Sequence, residues 1–155
     1  MFAGIDDLVR HDHLGTSGWQ TVDQARIEHF ADVTGDRRWI HIDPARARTG
    51  SPFGTTVAHG ALTLSLCLTF LAELVDVDGV SHVVNSGFDR VRFPAPVLAG
   101  ARLRGSARLT GHRRVPGGVR ITVRMTAEIE GSERPASVAD HVLVLYETTT
   151  PVPGS

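Results

Sequence analysis

The chain contains no lysine: all sixteen of its basic residues are arginine. Without a primary amine on any side chain, Schiff-base catalysis is excluded, and so is a phosphate-binding loop that depends on a Gly-Lys pair. Cysteine is nearly absent as well. Cys67 stands alone, so no internal disulfide can form, and a reducing cytoplasm suits the chain. Set among apolar residues, Cys67 reads as a small buried hydrophobe in preference to a nucleophile. The formal net charge of −1 leaves no general field for gathering nucleic acid, although local arginine pairs could still meet a ligand phosphate. No apolar run is clean enough to span a bilayer, because Thr63, Ser65, Thr69 and Glu73 interrupt the stretch from Ala58 to Val75 and His59 and Asp76 bracket it. The N-terminus places Asp6 and Asp7 where an export signal carries positive charge, so no such signal is expected.

What remains is one domain of ordinary size, 155 residues, able to bury roughly two thirds of the surface its unfolded form exposes. Thr21-Val22-Asp23-Gln24 has the spacing of a capping box, and Ile27, Phe30, Ala31 and Thr34 then recur at helical period until Gly35. This predicts a helix over 22–34. Asp43-Pro44 predicts a second, short helix over 44–48. A loop rich in Gly, Ser and Pro then delivers the chain to the long apolar helix beginning near Ala58.

From Ser81 onward the pattern is one of strands, over 81–93, 102–113, 118–130 and 136–147. Alternation is clearest in Val119-Arg120-Ile121-Thr122-Val123-Arg124-Met125. Val115-Pro116-Gly117-Gly118 and Gly131-Ser132-Glu133 read as hairpin turns. One helix apolar nearly all round, followed by four long antiparallel strands, is best buried by bending the sheet around it, which gives an α+β layer. The domain is expected to span 1–147, with 148–155 a frayed polar tail. Exposed sheet edges need covering, which points to a homodimer.

Between Phe30 and Gly60 the chain reads F-A-D-V-T-G-D-R-R-W-I-H-I-D-P and then F-G-T-T-V-A-H-G. Asp36 and His41 stand five residues apart on one short loop, where they can hold a water between them. If the loop is buried, the pair can move protons at neutral pH, since imidazole titrates there and burial raises a carboxylate toward it. Gly60 opens the apolar helix, where a free backbone N–H favours a developing negative oxygen. Water activation beside an oxyanion donor suits the addition of water to a conjugated carbonyl, or its loss.

The pattern G-D-x-x-x-x-H-x-D-P followed by F-G-x-x-x-A-H-G resembles the MaoC-like dehydratases, or (R)-specific enoyl-CoA hydratases. W-I-H-I-D-P, together with V-R-F-P-A-P-V from Val91 to Val97, is most similar to their nodulation-protein-N-like branch, and the resemblance runs from about Ser17 to Tyr146. It implies the hot-dog fold, a curved antiparallel sheet around one long helix, and pairing of two copies edge to edge. It implies reversible hydration of trans-2-enoyl thioesters to (R)-3-hydroxyacyl thioesters, the carrier being coenzyme A or acyl carrier protein, with no further cofactor and no metal. Asp36 and His41 then bind the water and divide proton removal and donation, while the Gly60 N–H receives the thioester oxygen.

Other residues group around these three. His59 is assigned to the substrate-binding set, as a packing or capping imidazole at the helix start in preference to a proton carrier. Thr55, Thr56 and Ser65 are local hydroxyls, one of which could orient the dyad. Asn85 lies in the strand whose family counterpart borders the acyl tunnel, and it is either a substrate contact or a residue at a bulge. Arg90 and Arg92 share a face by alternation. Arg38 departs from the family pattern: pointing inward it depresses the Asp36 pKa, pointing outward it is a solvated charge or a ligand contact.

Competing chemistries fit less well. His41-x-Asp43 with His59 imitates a two-histidine, one-carboxylate iron site, but Asp43 is committed to capping. His11-x-His13 lies in a segment expected to be unanchored and solvated. A thioesterase needs an acid in or near the central helix, and Glu73 stands toward the wrong end. A non-catalytic acyl-binding subunit is at odds with an intact Asp36 and His41.

Overall fold

The computed structural model describes residues 1–148. Apart from Thr148, the expected polar tail lies outside the described residues. Five helices and six strands follow in the order α1 (Ile5–Leu8), β1 (His13–Thr16), β2 (Gln20–Val22), α2 (Gln24–Thr34), α3 (Trp39–Ile42), α4 (Pro44–Gly50), α5 (Gly60–Leu74), β3 (Val80–Arg92), β4 (Ala101–Val115), β5 (Gly118–Ile129) and β6 (Ser137–Glu147). The sheet is antiparallel in the order β1-β4-β5-β6-β3, with β2 also paired to β4.

The inner face of the sheet closes on α5. Leu62, Leu66, Cys67, Phe70 and Leu71 of that helix meet Leu103, Ala107, Ile121, Val123, Met125, Leu143 and Leu145 in one core. Each large side chain so buried contributes about 1.5–3 kcal/mol. Helix and strand pack tightly at Gly105, where an added Cβ would lie 2.5 Å from the Phe70 Cβ. The curved sheet around one helix is the hot-dog arrangement that the resemblance implies, and Cys67 sits wholly buried within it, against Ser137.

Local chemistry moves some boundaries. The helix expected over 22–34 is capped by Asp23, whose carboxylate accepts from the Arg26 N–H, and not by a Thr21 box. Val22 is taken instead by β2, opposite Ala101, because its side chain belongs to the core. The N-terminal segment is anchored: β1 pairs with β4, and the Phe2 N–H donates to the Asp76 carbonyl. Arg90 and Arg92 do not share a face. The strand bulges between Asp89 and Arg92, Arg90 takes a φ of 53°, and its guanidinium turns to the buried Asp140, which Arg124 also binds.

Between the helices and the sheet the chain is stitched once more. Val57 bridges Leu98, the Ala58 N–H donates to the Val97 carbonyl at 2.8 Å, and the Ala99 N–H donates to the Thr56 carbonyl at 3.0 Å. This short ladder fixes the approach to α5. Among the described residues, no helix is long and apolar enough to cross a membrane.

Candidate active site

Asp36 lies just beyond α2, which ends at Gly35 in the left-handed conformation (φ 77°) that a glycine adopts without strain. His41 lies in α3, a single turn that sequence periodicity did not disclose because four residues are too few to show one. Asp43 caps α4 by accepting from the Arg46 N–H, as its place before Pro44 suggested. His59 immediately precedes Gly60 at the start of α5. Donor atoms of Asp36, His41 and His59 converge within 4.8 Å of one another.

Each imidazole is fixed by backbone. His41 Nδ1 is 2.7 Å from the Val57 carbonyl oxygen. A carbonyl can only accept, so Nδ1 carries the proton and Nε2 keeps its lone pair for the site. By the same logic His59 Nε2 donates to the Asp36 carbonyl at 2.9 Å. The two rings stack 3.7 Å apart, and Phe30 packs on His59. Burial is the main force holding the His41 pKa below its ordinary value, helped by neighbouring His59 and opposed by the Val57 carbonyl.

Arg38 stays 72% exposed, yet its guanidinium turns back onto Asp36. Its Nε and Nη2 donate to the two carboxylate oxygens of Asp36, at 2.7 Å and 2.5 Å. The guanidinium lowers the Asp36 pKa to about 2, so the expected upward shift by burial does not occur. The carboxylate is only partly buried and its charge is matched, so desolvation is the weaker influence. Two features also suit a metal ion poorly: both Asp36 oxygens are engaged by Arg38, and stacked rings set their nitrogens side by side.

Gly60 occupies the first turn of α5, where backbone N–H groups have no partner within the helix, and the cap residue supplies no side-chain bond. A Cβ at this position would stand 3.2 Å from the Phe93 ring. Phe93, Thr63, Ala95, Pro96 and Ala136 line a cleft beside it. A second cavity of about 240 Å³ lies farther along α5, between Leu68, Leu71, Ala72 and Val75 and the strand residues Val83, Asn85, Leu143 and Leu145. Asn85 is therefore both on a cavity wall and at a bulge, where its Oδ1 accepts from the Gly87 N–H.

Of the three hydroxyls, Thr56 is the one linked to His41. It donates to Gln24 Oε1, and Gln24 Nε2 donates to the His41 carbonyl. Gln24 and Val57 carry no local signal of this role, since they reach the site only through tertiary packing. The aromatic of Phe93 is equally silent in sequence. Ser65 bonds its own helix at Ala61, and Glu73 is tied to Gln20 at the far end of α5.

Residues 9–130 match the model of the MaoC like domain. The chain is 45% identical over 145 residues to 3-hydroxyacyl-thioester dehydratase Z of Mycobacterium tuberculosis, covering 92% of this chain and 95% of that protein. It is 41% identical over 147 residues to nodulation protein N of Rhizobium meliloti, covering 90% and 88%. Its fold is similar to that of the MaoC-like dehydratase from Rhodospirillum rubrum, with a TM-score of 0.75 at 19% identity over 95% of this chain and 99% of that one. A family model over most of the chain and relatives above 40% identity matched nearly end to end agree, and the chain belongs to the MaoC-like domain family.

Proposed function

We propose that the protein adds water reversibly to trans-2-enoyl thioesters to give (R)-3-hydroxyacyl thioesters, and that residues 1–147 act as one catalytic domain. The observation that carries this reading is the free Nε2 of His41, fixed by Val57 beside the Asp36 carboxylate at the start of α5. Water sits between Nε2 and Asp36. As its oxygen bonds to the β-carbon, His41 takes the proton, and the double-bond electrons move onto the thioester oxygen, stabilised by the Gly60 N–H. The imidazolium then returns that proton to the α-carbon. Water is consumed whole and His41 ends neutral, so the chemistry calls for no cofactor or metal beyond the thioester carrier, coenzyme A or acyl carrier protein.

The low pKa of Asp36 refines the division of labour. An ionised carboxylate cannot donate a proton at neutral pH, so Asp36 anchors the water and stabilises the imidazolium while His41 moves the proton. Acid–base help of this kind is worth about 10²–10⁴-fold and one oxyanion donor about 10²–10³-fold. Arg38 sets the Asp36 charge at the mouth of the site, His59 holds the loop, and Asn85 contacts the acyl chain. The unpaired, buried Cys67 is compatible with a cytoplasmic protein.

The proposed working unit is a homodimer. β3 ends the sheet, thirteen residues long, with Val83 and Val84 exposed by 54% and 43%. An edge of that length pairs readily with a second copy of itself. Mixing the purified protein with crotonyl-CoA and following loss of the enoyl absorbance tests the activity. Release of free thiol instead would mark a thioesterase, and binding without turnover would mark an acyl-carrying subunit. Asp36→Asn and His41→Ala should each remove most turnover; a folded variant with full activity would remove that residue from the mechanism.

A further inference from the structure

Most of the cleft beside Gly60 is apolar: Phe93, Ala95, Pro96 and Ala136 offer it no side-chain donor or acceptor. Thr63 is the exception, the residue lining the cleft that carries a polar side chain, and it is only 2% exposed. A threonine or serine within a helix commonly places its hydroxyl on the carbonyl four residues back. Ser65 does this, donating to the Ala61 carbonyl at 2.8 Å. Thr63 does not. The His59 carbonyl takes only the Thr63 backbone N–H, at 3.3 Å, and the hydroxyl has no partner among the described residues.

The buried side-chain polar atoms that lack a partner and are also sealed from any opening are ring nitrogens of His59 and His141. The Thr63 oxygen, equally unpartnered, is not one of them, so the small opening it keeps is the cleft. Valine would fill the same place without leaving a hydroxyl unmatched in apolar surroundings. The use of that hydroxyl therefore lies in what enters the cleft.

Gly60 and Thr63 stand three residues apart on α5 and so share a face. Helical side chains tilt toward the N-terminus, over the preceding turn, which leans the Thr63 hydroxyl toward the first turn and its free N–H groups. A carbonyl oxygen has two lone pairs and can accept from both. We infer that the Thr63 hydroxyl is a second donor to the thioester oxygen, forming with the Gly60 N–H a two-donor site for the charge that develops there. This rests on the hydration reading above. The bond strengthens as the double-bond electrons move onto that oxygen, so it acts on the barrier more than on binding.

The test compares wild type, Thr63→Val, which removes the hydroxyl at nearly constant volume, and Thr63→Ser, which keeps it. Each is given crotonyl-CoA for turnover and, for infrared spectra, unreactive butanoyl-CoA labelled with ¹³C at the thioester carbon. Thr63→Val should lose about 10²-fold in kcat with KM little changed, and Thr63→Ser should recover most of that loss. The bound carbonyl band should lie at lower frequency wherever the hydroxyl is present. Because the hydroxyl bonds nothing within the protein, the denaturant midpoint of Thr63→Val should not fall; a lower midpoint would assign the hydroxyl to the fold instead. A Thr63→Val enzyme with the wild-type kcat, or a carbonyl band in the same place with and without the hydroxyl, overturns the inference. If wild type hydrates no enoyl thioester while the band still moves with the hydroxyl, the hydration reading falls and this contact stands. Should Thr63→Val not fold, Thr63→Ala takes the same measurements.

Discussion

Arg38 spends two guanidinium nitrogens on one carboxylate, and this sets the acid tolerance of the site. With its pKa near 2, against an ordinary 3.8, Asp36 remains charged well into acid. Its contribution to stability is therefore present above 3.8 and lost as pH falls through about 2. Arg38 also depresses His41 by simple repulsion. Arg38→Gln should raise both pKa values, so the acidic limb of the kcat/KM profile should move to higher pH; an unmoved limb would show that the ion pair is not maintained in solution. His141 obeys the opposite arithmetic. Burial lowers it from 6.5 to about 4, so the folded state resists a proton that the unfolded state accepts. Stability should decline as pH drops below 6.5, by up to about 3 kcal/mol once pH is under 4. Denaturant titrations of a folded His141→Leu variant should show a shallower decline.

At the scale of elements, two glycines of similar appearance do different work. Gly105 lets β4 approach α5, and Gly105→Ala should cost about 1–3 kcal/mol in denaturant unfolding because Phe70 must move. Gly60→Ala should leave the fold nearly unchanged and lower kcat, since its methyl would press on the Phe93 ring beside the proposed oxyanion donor. Sequence disclosed the long elements well: the alternation of Val119 to Met125 marks β5, and the turns at Pro116-Gly117 and Gly131-Ser132 mark its ends. Short elements stayed hidden. β1, β2 and α3 hold four, three and four residues, too few for a period to show, and are held by partners far along the chain. The same divide runs through the site. Asp36, His41 and Gly60 were visible as a motif. The tautomer of His41, the turn of Arg38 toward Asp36 and the wall made by Phe93 follow only from packing, because each depends on where a distant backbone or ring comes to rest.

For the whole molecule, the exposed β3 edge makes assembly the natural test. Sedimentation at micromolar concentration should give a dimer, and Val84→Glu should shift it toward monomer by setting like charges against each other across the paired edge; a wild-type monomer would overturn the proposed working unit. The short ladder of Thr56 to Ala58 on Val97 to Ala99 has a further consequence, one of timing. All of the proposed proton-handling side chains lie within the first sixty residues, yet the carbonyl that fixes the His41 tautomer is held by backbone some forty residues later. A chain emerging from the ribosome thus carries its reactive groups long before they are aimed. Closing so long a loop is slow relative to forming a helix turn. In a refolding experiment, protection of the Ala58 and Ala99 amides from hydrogen exchange should rise together, and turnover should return with them, after α5 has already formed.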